Sequence, residues 1–492
     1  MKYKKLSGIP STIRIADPPL HLQNAFQTIF TKGALEFITQ LVTAFEDDVE
    51  QLQWKRLRKK SEFYLKGELP SFPQSPARAD LSWKIRPLPE RLRNRELDLG
   101  DVSPANTNHF IKALNADVQG VQVDFDDGHC PTWHNQIVGL YNVHQAVRGE
   151  LFGTQHIQNL PILMLRPRAW NMIEHNIIIN GKETPGALLD FGILMYHNAE
   201  ILAELNCGPF FYLSKLESAS EAKLWNRIFV WAQQKLRLSV GTIKACVLIE
   251  NIFAAFEMEE ILYELRDHSL GLNCGIWDYT ASIICKFGDS SNYVIPDRNK
   301  YVDADRHFLK KYMELVVTTC HSRGAPATGG MSALLVTPES HIEIKPFAPG
   351  NVTPDDLLQI PTGEVTLKGL EHNVTVAVLF IYNWLKGNGH FFYKGAVEDS
   401  ATAEISRLQV WQWVRHQVSI EGTSAIVTKE LLENIIKEFT RTQENNNLLN
   451  IANDLFVEIV TAKYSPDFIT TYLNDHYIFK QIQKRNILKH KL

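Results

Sequence analysis

Short apolar runs alternating with longer helical patterns constrain this chain more than any other feature. From about residue 118 the runs Val121–Phe125, Ile162–Leu165, Phe210–Leu213 and Ala245–Ile249 recur in that setting. The alternation predicts βα units around a parallel sheet. Each run stops in polar side chains: Asp126 and Asp127, Arg166, Lys215 with Glu217, and Glu250 with Asn251. Charged groups gathered at strand C-termini are what a barrel active site requires. A doubly wound sheet has the same strand texture, so an α/β class follows and the choice between the two stays open here.

The flanks read differently. Residues 25–66 carry Phe30, Ala34, Ile38, Leu41 and Phe45 at three- and four-residue spacing, which predicts a helical unit. A proline-rich stretch from Leu69-Pro70 to Pro76, with Pro87 and Pro89 beyond, reads as an extended connector. After residue 399 strand signals fade. Ala401–His416, Lys429–Phe439 and Leu448–Val460 read as helices, and the polar last residues as a mobile tail. No internal repeat or low-complexity tract is present.

Composition narrows the function classes. With 45% hydrophobic and 22% charged residues the chain can bury a core and is not globally disordered. A net charge of -4 supplies no basic field for nucleic acid or an anionic membrane. The six cysteines are scattered, with no close CxxC pair for zinc or redox chemistry and no disulfide framework. The opening residues lead into Ser7-Gly8-Ile9-Pro10 and not into an apolar signal core. The most apolar run, Val374–Leu385, is shorter than the roughly 20 residues a bilayer span needs. A cytosolic protein is expected, with the sequons at Asn351 and Asn373 inert. His490-Lys491-Leu492 only loosely resembles a peroxisomal address.

Four places carry candidate chemistry. Glu250 ends a buried run, so its carboxylate can ligate a hard cation, cap the next helix or pair with a lysine. In Arg266-Asp-His-Ser-Leu-Gly-Leu-Asn-Cys-Gly-Ile-Trp-Asp-Tyr279 the glycines Gly271 and Gly275 permit close backbone approach. The loop Cys274–Asp278 can aim N–H groups at a small anion while Asp278 offers oxygen to a metal; a structural turn is the plainer reading. Arg166, in Leu165-Arg-Pro-Arg168, can stabilise a developing oxyanion or be a surface arginine. Asp399 precedes a helical stretch, where an N-cap is the usual role and a general base the functional one. Gly387-Asn-Gly389 lacks the spacing and lysine of a phosphate loop, Trp411 and Trp413 read as packing surface, and no GxSxG elbow occurs.

The segment RDHSLGLNCGIWDY resembles the signature of malate synthases, and the likeness extends beyond it. VQVDFDDGHCPTW (121–133), RPRAW (166–170), GALLDFGILMYHNAE (186–200), GPFFYLSKLESASEAKLWN (208–226) and VLIENIFAAFEMEEILYELRDH (247–268) are similar to the shorter, bacterial and plant type. So are TTCHSRGAPATGGM (318–331) and EDSATAEISRLQVWQW (398–413). The resemblance implies a (β/α)₈ TIM barrel over residues 86–385, an N-terminal helical clasp over 1–85 and a C-terminal helical plug over 386–492. It implies Mg²⁺ held by Glu250 and Asp278, glyoxylate held by Gly275, Ile276, Trp277 and Asp278, Arg166 at the active site and Asp399 as catalytic base. Asp126 and Asp127 match an acidic pair near the metal shell, with Asp126 in place of a usual Glu. The implied reaction condenses acetyl-CoA with glyoxylate and hydrolyses the product to malate and CoA.

Two departures stand out. Thr280-Ala281 replaces an aliphatic residue and Phe after Trp277-Asp278-Tyr279, removing bulk beside the metal loop. Between Met331 and Leu357 only SALLVTPESHIEIKPFAPGNVTPDD is present, where the family carries a longer segment with a glycine-tryptophan loop that helps to seat CoA. Three readings are therefore held: an ordinary malate synthase, a paralogue taking its acetyl group from a carrier-protein thioester, and a non-catalytic scaffold. Retention of Arg166, Glu250, Asp278 and Asp399 argues against the last.

Overall fold

A computed structural model describes residues 3–4, 12–330, 350–443 and 446–489. Most of the shortened stretch (331–349) and the C-terminal His490-Lys491-Leu492 lie outside the described residues. Seven strands form one wholly parallel sheet: β1 Asp98–Val102, β2 Gly120–Asp124, β3 Ile162–Arg166, β4 Phe210–Leu213, β5 Lys244–Ile249, β6 Ser269–Cys274 and β7 Ala327–Thr328. They pair in sequence order from β1 to β7. The resemblance implies eight strands, and seven are present among the described residues.

Side-chain alternation decides between barrel and doubly wound sheet. Ile162 and Met164, Phe210 and Tyr212, Cys246 and Leu248, and Leu270 face one side and close with Leu92 into a small enclosed cluster. The intervening Leu163, Leu165, Phe211, Leu213, Ala245, Val247 and Ile249 join the main core. A filled interior on one face and helices on the other is barrel packing; a doubly wound sheet carries helices on both. The Gly271–Asp278 stretch, read as a loop, is the end of β6 running into a helix. Gly271 sits there at φ +91°, and a Cβ would run into the Pro326 carbonyl.

The helices that shape the site are α1 Lys32–Lys66, α2 Trp133–Arg148, α3 Gly186–Glu204, α4 Ala219–Lys235, α5 Ile276–Phe287, α6 His307–Ser322, α7 Leu367–Leu385, α8 Ser400–Arg415 and α9 Asn447–Thr461. The N-terminal helix α1 lies on α3 and α4. It is fastened by Arg56, whose guanidinium donates to Glu221 at 2.6 and 2.8 Å and to the Lys215 carbonyl at 2.7 Å, all buried. At the other end of the chain α7 packs on α8 and α9, and α8 packs on α5. That last contact brings the C-terminal helices onto the barrel. Trp413 is fully buried and donates to the Ile295 carbonyl, while Trp411 donates to that of Ala462, as expected of packing residues.

Two elements differ from the sequence reading. A four-stranded antiparallel sheet forms from Tyr3–Lys4, Ile13–Ala16, Ile173–Ile179 and Lys182–Pro185. Its hairpin turns at Asn180-Gly181, both at positive φ, the pair of residues this turn favours. The polar tail is helical over Tyr477–Lys489, with Phe479 buried against Trp384.

Candidate active site

The strand ends gather seven buried or nearly buried carboxyl groups around two cations. Asp101 belongs to β1, Asp124 ends β2, and Asp126 and Asp127 follow it; Arg166 ends β3, Lys215 follows β4 and Glu250 follows β5. Asp278 stands in the first turn of α5, and Asp399 is the N-cap of α8. Five successive strands and two helix N-termini thus converge on one mouth.

Arg166 organises one half. Its guanidinium donates to Asp101 at 2.9 Å and to Asp127, with Asp126 at 3.6 Å and Asp124 at 3.8 Å. Its Nε–H is buried without a hydrogen-bonding partner. The guanidinium has five N–H donors in a fixed fork, so two hydrogen bonds leave others free for an incoming oxyanion. Lys215 organises the other half: its ammonium lies 2.8 Å from both Asp127 oxygens, 3.7 Å from Asp126 and 3.6 Å from Asp278. Its backbone N–H donates to Glu250 at 2.6 Å.

Between these cations the acids divide. Despite burial, Asp127 stays well below the usual carboxylate range because Arg166, Lys215 and the Ser400 hydroxyl stabilise its charge. Burial pushes four of the others up: Asp101 to about 8, Asp124 to about 7, Asp399 to about 6, and Glu250 well above its ordinary value. Asp278 is raised by the same cause, and its carboxyl hydrogen-bonds that of Glu250. Seven carboxyl groups against two cations leave an excess of acid that protons must neutralise or a bound cation must replace.

Glu250 and Asp278 meet beside the small residues of α5. Gly275 is required there, since a Cβ would come within 2.9 Å of the Glu250 Cβ. Among the described residues no three His, Cys, Asp or Glu side chains already surround one point. A pair of carboxylates completed by water and substrate oxygens is nevertheless the habit of Mg²⁺, so the donor set fits that ion. Ala281, Ser282 and Cys285 follow Asp278 on the same helical face and line a small hollow against Glu404 and Leu408 of α8. The missing bulk at Ala281 is thus open space beside the carboxylate pair.

The glyoxylate residues of the sequence reading occupy the start of α5, with one change of detail. The Gly275 N–H donates to the Tyr312 hydroxyl at 2.9 Å, so it is not free for an anion. Ile276, Trp277 and Asp278 supply the first-turn amides, which have no acceptor within the helix and favour negative charge. The Trp277 indole N–H is buried without a partner, and the Arg298 guanidinium lies 5.3 Å over its ring. Asp399 takes the N-cap position its sequence allowed. It caps α8, accepting from the Thr402 N–H at 3.1 Å, and lies in hydrogen-bonding contact with Asp101. Sequence reasoning missed Asp101, Asp124 and the Ser400 hydroxyl, and gave Lys215 no role beyond its strand-end position.

The family profile "Malate synthase, TIM barrel domain" matches residues 162–366 and "Malate synthase, C-terminal" matches 364–477. A malate synthase of Myxococcus xanthus (strain DK1622) is 35% identical, over 90% of this chain and 93% of its own. One of Dictyostelium discoideum is 33% identical, over 90% and 94%. A protein named "Malate synthase, glyoxysomal" from Gossypium hirsutum is 32% identical over 90% of both chains. This chain therefore belongs to the malate synthase family.

Proposed function

We propose that the chain condenses acetyl-CoA with glyoxylate and hydrolyses the resulting thioester to malate and CoA, with Mg²⁺ held by Glu250 and Asp278. The observation that carries this reading is the meeting of the α8 N-cap, Asp399, with Arg166 and the Glu250–Asp278 pair at one barrel mouth. When bound, the ion supplies Lewis-acid polarisation of the glyoxylate aldehyde. The amides of Ile276–Asp278 hold the glyoxylate carboxylate at the positive end of α5. Asp399 takes a proton from the acetyl methyl group, and the free N–H donors of Arg166 stabilise the enolate oxygen that forms. Burial suits both roles: it lifts Asp399 toward neutral pH, strengthening it as a base, and keeps water from the enolate.

The division at residues 85 and 385 is part of this proposal, with α7 at the seam between barrel and plug. So is the cytosolic placement, which subcellular fractionation would test. Two variants test the residue roles. Asp399→Asn keeps a side chain that caps helices equally well, so it is expected to stay folded and lose condensation; near-wild-type turnover would remove Asp399 as the base. Asp278→Asn is expected to lose Mg²⁺-dependent glyoxylate binding by calorimetry. Unchanged binding would refute the metal assignment.

A further inference from the structure

Asp101 has no part in the chemistry above, yet it touches both Arg166 and Asp399. It takes a left-handed backbone at φ 52°, a conformation that Asp, Asn and Gly enter more readily than other residues. From there its carboxyl accepts from Arg166 at 2.9 Å and is in hydrogen-bonding contact with the Asp399 carboxyl. Two carboxylates can only accept, so a hydrogen bond between them requires one proton on the pair. We propose that Asp101 is a positioning residue, a carboxylic acid that donates to the Asp399 carboxylate and holds it aimed as the base. This rests on the reading of Asp399 as base.

The surroundings say which partner keeps the proton. Asp101 faces Arg166 from β3, Asp127 from the β2 end, and Asp399. Asp399 faces Asp127, Asp101, Asp278 of α5 and the Thr402 amide, with the Arg298 guanidinium farther off. Thr402 N–H stabilises the Asp399 charge directly. With Asp101 at about 8 and Asp399 at about 6, the proton resides on Asp101 at neutral pH. In the reaction the methyl C–H bond breaks, its proton forms an O–H bond on Asp399, and the electron pair moves to the enolate oxygen. Asp101 keeps its own proton throughout.

The test compares wild type, Asp101→Asn and Asp101→Ala as Mg²⁺-loaded enzymes, reading kcat/KM for acetyl-CoA against pH at saturating glyoxylate. Asn keeps a donor, so its acidic limb is expected to match wild type. Ala removes the bond that favours charged Asp399, so its acidic limb is expected to move upward. A limb displaced by about one pH unit lowers the rate about tenfold on that limb. An Ala limb overlaying wild type would overturn the proposal, even if the maximal rate fell. Infrared titration of the substrate-free protein supplies a readout independent of turnover. A carboxylic acid band near pH 7 that disappears in Asp101→Asn is expected; no such band would overturn the shared proton even in a protein that does not turn over.

Discussion

At the scale of single residues the site is a question of where excess negative charge goes. Lys215 pairs with Asp127 and approaches Asp278, and its backbone N–H holds Glu250, so it links both halves of the mouth. Removing one partner from a buried ionic set strands the others and costs about 3–5 kcal/mol. Lys215→Met is expected to lower stability by that order and to abolish turnover; an unchanged urea midpoint would contradict its place in the network. The pH dependence has a definite sign. As the proposed base, Asp399 works only when ionised, and burial lifts it to about 6, so turnover is expected to fall as pH drops through that value. A pH–rate profile still flat at pH 5 would contradict this. Glu250, Asp278 and Arg166 were legible because each follows an apolar run or sits in a glycine-flanked segment. Asp101 was not: Asp-Leu-Gly-Asp-Val has no apolar run, and the value of Asp101 comes from a tertiary contact with a helix about 300 residues onward.

At the scale of elements, strands with continuous apolar cores were readable and mixed ones were not. β2 to β5 appear in the sequence within a residue or two of their true ends. β1 and β7 carry too little apolar density, and the glycine in β6 made a strand look like a loop. The antiparallel hairpin was signalled by Asn180-Gly181 after an isoleucine-rich segment, but His175 and Asn176 interrupt the alternation. Helices with a clear apolar face were found to within a few residues. The clasp joins a buried apolar face, with Leu35, Ile38 and Leu41 in the main core, to one buried ion pair. Arg56→Met would leave Glu221 buried without its partner, at a cost again of about 3–5 kcal/mol. Its expected signature is a lowered melting temperature with kcat little changed in the surviving enzyme. A wild-type melting temperature would show that α1 is held by packing alone.

Across the whole molecule, the order of helical clasp, βα units and helical C-terminus was visible from periodicity, but barrel packing was not. Periodicity cannot tell which face of a strand meets helices, and only the enclosed cluster around Tyr212 settles it. Neither could periodicity foresee that α8 would lay Asp399 across a mouth built by residues 101–278. That juxtaposition brings Asp399 to the mouth that holds Arg166, a placement local sequence could not foresee. No helix among the described residues is long and apolar enough to cross a membrane. The central claim is that this mouth joins an acetyl thioester to glyoxylate. The direct measurement is thiol release from acetyl-CoA with glyoxylate and Mg²⁺, with the product weighed by mass spectrometry. Metal-dependent release of CoA with malate in equal amount is the expected result, despite the shortened segment after residue 331. No release from acetyl-CoA, with glyoxylate still bound through Mg²⁺ and turnover seen only with a carrier-bound acetyl group, would contradict it.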